Sequence, residues 1–190
     1  MPTQGERRDH TTAAILEAAH ELFAANGFER TSIADIASAA GVTKGSVYHY
    51  FETKEALFQR VFEEINAAMA PPIIEKALRA ATPAESLKVG CRLFLEQCLD
   101  PLLRQTLLID GPQVLGWELW REIDARYFLS ALRGGLEGTL ADGRDASVIA
   151  HLLVGALDEA VMFVSRAPDP NAATASCLAE LDRFIDALLA

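Results

Sequence analysis

Cysteine, glycine, proline and aromatic residues are all scarce in this chain of 190 residues. Its three cysteines are an odd number and make no disulfide framework, so a reducing cytoplasm is the expected compartment. Twelve glycines and eight prolines are too few for a fibrous or linker-dominated protein. The longest uncharged apolar stretch, around Ala160 to Val164, falls far short of the ~20 residues of a membrane span, and no signal-like segment opens the chain. No membrane partner is expected. Catalytic signatures are missing as well: there is no GxSxG elbow, Walker loop, GxGxxG turn or paired-carboxylate motif, so no enzyme is expected. His10, His20, His49 and His151 stand singly, without HxxxH, HExxH or CxxC company, which argues against a metal, and no cofactor is expected.

Positive charge is also in short supply. Seventeen Lys and Arg face 27 Asp and Glu, a net charge of −10, which taken alone opposes a nucleic-acid partner. The deficit is uneven. Residues 1–54 carry a net −2 and residues 55–190 the remaining −8, leaving room for basic contacts near the front.

What the chain does have is helical periodicity, in a composition 51% apolar and 23% charged that excludes intrinsic disorder. Ile15, Ala18, Ala19, Leu22 and Phe23 recur at the spacing of one buried helix face, and Asn26-Gly27 can end that helix. Leu57, Phe58, Val61, Phe62 and Ile65 repeat the pattern behind a Thr53 cap, and this helix is expected to stop before Pro71-Pro72. Thr82-Pro83-Ala84-Glu85 opens another helix, with Leu87, Cys91, Phe94, Leu95 and Cys98 on one side. Asp110-Gly111-Pro112 reads as a turn, followed by a long helix from about Trp117 to Leu140 that Asp142-Gly143 breaks. Ala146 to Ser165 is apolar nearly all round, and Ala172 to Leu189 closes the chain with a stripe of its own. No alternating run argues for a sheet. The expected fold is all-α with about nine helices.

The most informative segment is Ser32 to Phe51. Two short helices that cross steeply need apolar inner faces, a small residue at the crossing and a turn residue tolerant of positive φ. Ile36, Ala40, Val42, Val47 and Tyr50 supply the first, Ala37 the second and Gly41 the third. This is a helix-turn-helix spacing. Its second helix, Thr43 to about His49, turns Thr43, Lys44, Ser46, Tyr48 and His49 outward, where short polar groups can reach base edges in a major groove.

On these residues, 10–58 resemble the DNA-binding domain of the tetracycline-repressor (TetR/AcrR) family. The match runs through Leu22-Phe23, Asn26-Gly27-Phe28, Thr31 to Ala37, Ala40 to Phe51 and Lys54 to Phe58. The resemblance implies a DNA-binding domain over 1–53 and a ligand-binding and dimerisation domain over 54–190. It implies that Thr31, Ser32, Tyr48, His49 and Lys54 contact phosphate or flanking thymine methyl groups, and that Thr43, Lys44, Gly45 and Ser46 lie against base edges. Arg7 and Arg8 could follow the backbone.

The resemblance further implies a homodimer on palindromic double-stranded operator DNA, with a small-molecule effector in each C-terminal domain. The apolar stripes of the last two helices suit an interface, with Leu152, Leu153, Ala156, Ala160, Leu181 and Ile185 as its candidates. Phe62, Phe94, Cys98, Trp117, Trp120 and Met162, with the polar Asp110 and Gln113, are the candidate effector lining, and favour a hydrophobic or aromatic ligand. Cys91 and Cys98, seven apart on one face, lie about ~10 Å apart along the axis, too far for a disulfide. The expected function is a cytoplasmic transcription regulator, a repressor released by its effector. A ligand-independent or activating regulator is the alternative, and an enzyme on a helical scaffold the remote one.

Overall fold

The computed structural model describes residues 3–140 and 143–189. Among these the chain forms nine helices and no strand. They are α1 (Gln4–Asn26), α2 (Ile33–Ala39), α3 (Lys44–Tyr50), α4 (Lys54–Ala77), α5 (Pro83–Cys98), α6 (101–115), α7 (117–137), α8 (Ala146–Arg166) and α9 (Pro170–Leu189). Helices α6 and α7 each contain one wide π-helical turn, Gln105–Asp110 and Ala125–Leu129.

Local chemistry sets most of the boundaries. Thr3, Ser32, Thr43 and Thr82 each accept a hydrogen bond from the backbone N–H three residues on, which satisfies a donor that the first helical turn leaves open. Thr53 does the same for Ala56, at 3.0 Å, ahead of α4. Asp145 accepts from Ser147 and Val148 at the head of α8. Gly27, at φ 80°, ends α1 while its N–H donates to Phe23 at 2.8 Å.

Three boundaries differ from expectation. Helix α4 runs through Pro71 and Pro72 to Ala77, because Met69, Ala70 and Ile73 around them are buried and packing outweighs two lost N–H donors. Asp110-Gly111-Pro112 is not a turn: Gly111 is helical at φ −49°, and the break falls at Gly116, at φ 75°. Helix α7 ends at Glu137 rather than near 140, and Asp142 lies outside the described residues.

By packing, the chain forms two compact units: residues 3–65 with 101–120, and residues 66–100 with 121–189. The first is built on Phe23, Phe28 and Phe58, whose rings meet pairwise at 5.3–5.6 Å, two of the pairs edge-on. Helices α1, α2 and α3 close over Ile15, Ala19, Ile36 and Val47, all fully buried. The small Ala37 sits between α2 and α3, and its carbonyl accepts from Val42 across the turn at 2.9 Å. Gly41 makes that turn at φ 67°.

In the second unit α8 packs against α5, α7 and α9. At 21 residues α8 is long and apolar enough by composition to cross a membrane, contrary to the expectation that no segment is. Ile149, Ala150, Leu153, Leu157, Val161 and Val164 spend that apolarity on the unit's own core. Partly exposed ion pairs, Lys88 with Asp186 at 2.5 Å and Arg92 with Asp182 at 3.4 Å, tie α5 to α9.

Candidate nucleic-acid interface and effector cavity

Helix α3 anchors itself on one residue and leaves the rest of its surface outward. Val47 is fully buried, whereas Thr43, Lys44, Gly45, Tyr48 and His49 are exposed and Ser46 is half-buried. The Thr43 hydroxyl caps the helix by accepting from Ser46 N–H at 3.1 Å. The Lys44 ammonium lies 5.9 Å from the centre of the Tyr48 ring, and His49 meets Tyr50 edge-on at 5.2 Å. A cation, an aromatic hydroxyl and an imidazole therefore share one short, rigid face.

The other residues assigned to phosphate have different employment. The Thr31 side chain is buried, with its hydroxyl within donating distance of the Leu22 and Gly27 carbonyls at 3.1 and 2.9 Å. It ties the end of α1 to the start of α2 and is unavailable to DNA. Ser32 is exposed but engaged: it caps α2, and its hydroxyl donates to Asp35 at 2.6 Å. That bond, and then the Ser32 N–H donating to the same carboxyl at 3.1 Å, hold Asp35 below its ordinary range. The Lys54 ammonium sits 3.9 Å from the centre of the Phe28 ring and donates to the carbonyls of Phe28 and Thr31 at 2.9 and 3.1 Å. Its first duty is to fasten the Phe28–Thr31 loop.

Asp110 is a second fastener of that loop. It is buried, accepts from Phe28 N–H at 2.8 Å and from the Gln105 amide at 3.0 Å. Nearby, Gly111 donates its N–H to Thr106, and Pro112 has no N–H to offer, so the Leu107 carbonyl lacks a helical partner. The buried Trp120 indole supplies one at 3.0 Å. Phe62 packs against the same Gly111, where a Cβ would come within 2.9 Å of its ring.

The second unit holds a cavity of about 340 Å³. Ile73, Leu87, Cys91, Phe94, Phe128 and Leu157 give it an apolar wall, and the Phe94 and Phe128 rings meet edge-on at 5.0 Å. Of the expected lining only Phe94 is in this wall. Phe62, Asp110 and Trp120 belong to the core of the first unit, Gln113 and Trp117 are exposed on that unit, and Cys98 and Met162 lie outside the wall. Burial raises the thiols of Cys91 and Cys98, the former to about 12, so both stay protonated.

One wall residue had no signal in the sequence. Asp124 is buried, and its Oδ2 has no hydrogen-bond partner. Arg121 lies 3.5 Å from that oxygen, in ion-pair range without hydrogen-bond geometry, and donates instead to Asp158 on α8 at 2.9 Å. Burial pushes the Asp158 carboxyl up to about 7 against the pull of Arg121, with Asp124 adding to the rise. Burial raises Asp124 too, opposed by Arg121 and His151. An acidic pair sharing one guanidinium is visible only once α7 and α8 are packed. Among the described residues no cluster could hold a metal ion.

The expected dimer residues divide. Leu153 and Ile185 are buried in the protomer's own core and have no surface left to give a partner. Ala156, Ala160 and Leu181 line a groove between α8 and α9, with Phe184 and Cys177. Leu152 is 62% exposed and continues a stripe with Val148 and Phe163 along α8.

A capped, outward-facing second helix behind a glycine turn defines a helix-turn-helix unit. Residues 15–61 match the family described as bacterial regulatory proteins, tetR family, and residues 84–188 match the tetracyclin repressor-like C-terminal domain. The chain belongs to the tetR family of transcriptional regulators. Among its relatives, the probable regulator ArpR of Pseudomonas putida is 41% identical over 107 residues, 53% of this chain and 49% of that protein. The matches span less than half the length of this and the other first curated relatives. A TetR-family regulator from Pectobacterium atrosepticum superposes with a TM-score of 0.81 at 27% identity, covering 99% of this chain and 98% of that one. The regulator FadR from Bacillus subtilis, solved in complex with stearoyl-CoA, gives 0.73 at 26% identity over 89% and 96% of the two chains.

Proposed function

We propose that this protein is a cytoplasmic repressor that binds a palindromic operator as a homodimer and is released by a small apolar effector. The outward face of α3 carries the reading. Thr43, Lys44, Gly45 and Ser46 form its leading edge for base edges and nearby backbone, while Tyr48 and His49 reach flanking phosphate and methyl groups. Ser32, the cap of α2, and Lys54, which fastens the Phe28–Thr31 loop, support this face through the local fold. The functional division runs from a DNA-binding domain over 1–53 to a sensing and dimerising domain over 54–190.

The cavity supports an effector in preference to ligand-independent action, because a packed protein interior leaves few voids larger than a water molecule. Its volume falls within the range of small-molecule pockets, and its wall suits an apolar or aromatic molecule. FadR from Bacillus subtilis is a neighbour solved with stearoyl-CoA, a ligand with a long apolar chain. Release follows if the effector prefers a conformation with weaker operator affinity, and linkage then makes DNA weaken effector binding by the same factor.

Fluorescence anisotropy on the upstream intergenic DNA at two salt concentrations tests this. Lys44→Ala and Tyr48→Ala should each weaken saturable binding at least tenfold while leaving the melting temperature within a few degrees of wild type. Lys54→Ala should lose affinity together with stability, which separates a fastening role from a reading one. Sequence-independent binding, equal for all three variants and wild type, would refute the operator reading.

A further inference from the structure

We propose that the cavity of the second unit selects an apolar effector carrying a hydrogen-bond donor, a hydroxyl or an amine, and that Asp124 is the residue that reads it. This rests on the effector reading above and narrows it to a chemical class.

Asp124 lies in a mostly apolar wall, is 8% exposed, and has a buried oxygen that accepts no hydrogen bond. In the unfolded chain water would satisfy that oxygen; in the folded one nothing described does. Arg121 is the nearest cation, yet its well-formed bond goes to Asp158. Two carboxylates on one guanidinium leave the site short of positive charge and of donors. The wall also holds Ser86 and Ser130, of which Ser130 is occupied, donating to the Ala125 carbonyl at 2.6 Å.

A ligand that fills the apolar volume and ends in an O–H or N–H gives the Asp124 oxygen its missing partner. A pure hydrocarbon seals the oxygen off and gains only the apolar contacts. A ligand carboxylate offers the Asp124 oxygen no donor and loses its own hydration in a poorly solvated site, which is the worst of the three. Burial holds the Asp124 carboxyl above the ordinary range, with Arg121 and His151 pulling back, and in either protonation state it keeps an oxygen that accepts.

Calorimetric titration of the full-length protein with 1-octanol, octylamine and octanoate, at one pH and salt, tests the order. The alcohol and the amine should bind wild type at least tenfold more tightly than the acid. Asp124→Leu should bring all three within threefold of one another. Asp124→Asn, which keeps the size and one acceptor oxygen, should retain octanol while gaining octanoate, and serves if the leucine variant fails to fold. Octanoate equal to octanol on wild type, no binding by any of the three, or an unchanged order in the folded variants would overturn the proposal. Operator anisotropy on the same preparations keeps the two readings apart. Intact DNA binding with a failed ligand order refutes only this inference, whereas loss of operator binding by folded wild type refutes the regulator reading.

Discussion

Asp124 and Asp158 contend for one arginine, and the contest leaves a signature in the dependence of stability on pH. The folded protein holds the Asp158 proton up to about pH 7, whereas the unfolded chain releases it near 3.8. Below that lower value both states are protonated and the contribution to stability is complete. As pH rises towards 7 the unfolded state sheds the proton first, and the contribution is lost. Asparagine mimics the protonated acid at every pH. Thermal melts of Asp158→Asn and wild type between pH 4.5 and 7.5 should therefore show the variant gaining relative stability as pH rises. A constant difference across that range would mean that the carboxylate is ionised throughout. The groups that face this pair, Arg121, His151 and Cys98, come from three helices, so spacing along the chain gives no hint of the cluster. Thr43, Lys44 and Tyr48 were legible for the opposite reason: a short helix facing solvent shows its outward residues by periodicity alone. Thr31 was not, because a threonine at a helix start looks the same whether its hydroxyl meets water or two carbonyls.

Helix α6 shows how an element can overrule its own punctuation. Asp110-Gly111-Pro112 has the composition of a turn, yet here the aspartate reaches back to Phe28, the glycine lets Phe62 and Trp120 approach, and the proline leaves a carbonyl for an indole. A Cβ at Gly111 would lie 2.9 Å from Phe62, 3.1 Å from Trp120 and 3.2 Å from the Thr106 carbonyl. Gly111→Ala should accordingly lower stability by about 1–3 kcal/mol, the usual cost of overpacking, in urea unfolding. Alanine is the better helix former, so a stabilised variant would show that the contact relaxes freely. Helix α4 makes the same point through Pro71 and Pro72, which it passes because buried neighbours hold the turn together. Caps such as Thr43, Thr53 and Thr82 act within four residues and could be read in advance. Packing against distant segments decides the interior exceptions and could not.

At the scale of the whole molecule, the proposed dimer makes a claim on the outer surface of α8. Val148, Leu152 and Phe163 are each more than half exposed on a helix whose other side is core, and Ala156 and Ala160 sit between them. Leu152→Glu should convert the dimer to a folded monomer in sedimentation analysis, since a charge there touches no interior contact of its own protomer. Leu153→Glu, one residue on, should instead unfold the protein, because that side chain is fully buried. Unchanged dimerisation in a folded Leu152→Glu protein would move the interface elsewhere.

The division of the chain into units also governs how it is made. The first unit is interrupted: residues 3–65 are completed by 101–120, which bring Asp110 to Phe28 and Trp120 to Leu107. A ribosome working at ~5–20 residues per second therefore exposes the front helices for several seconds before their closing segment exists. The reader must wait for a stretch encoded well downstream of it. A gene truncated anywhere before that stretch would leave a product without those fasteners, exposed to proteolysis before it could occupy an operator.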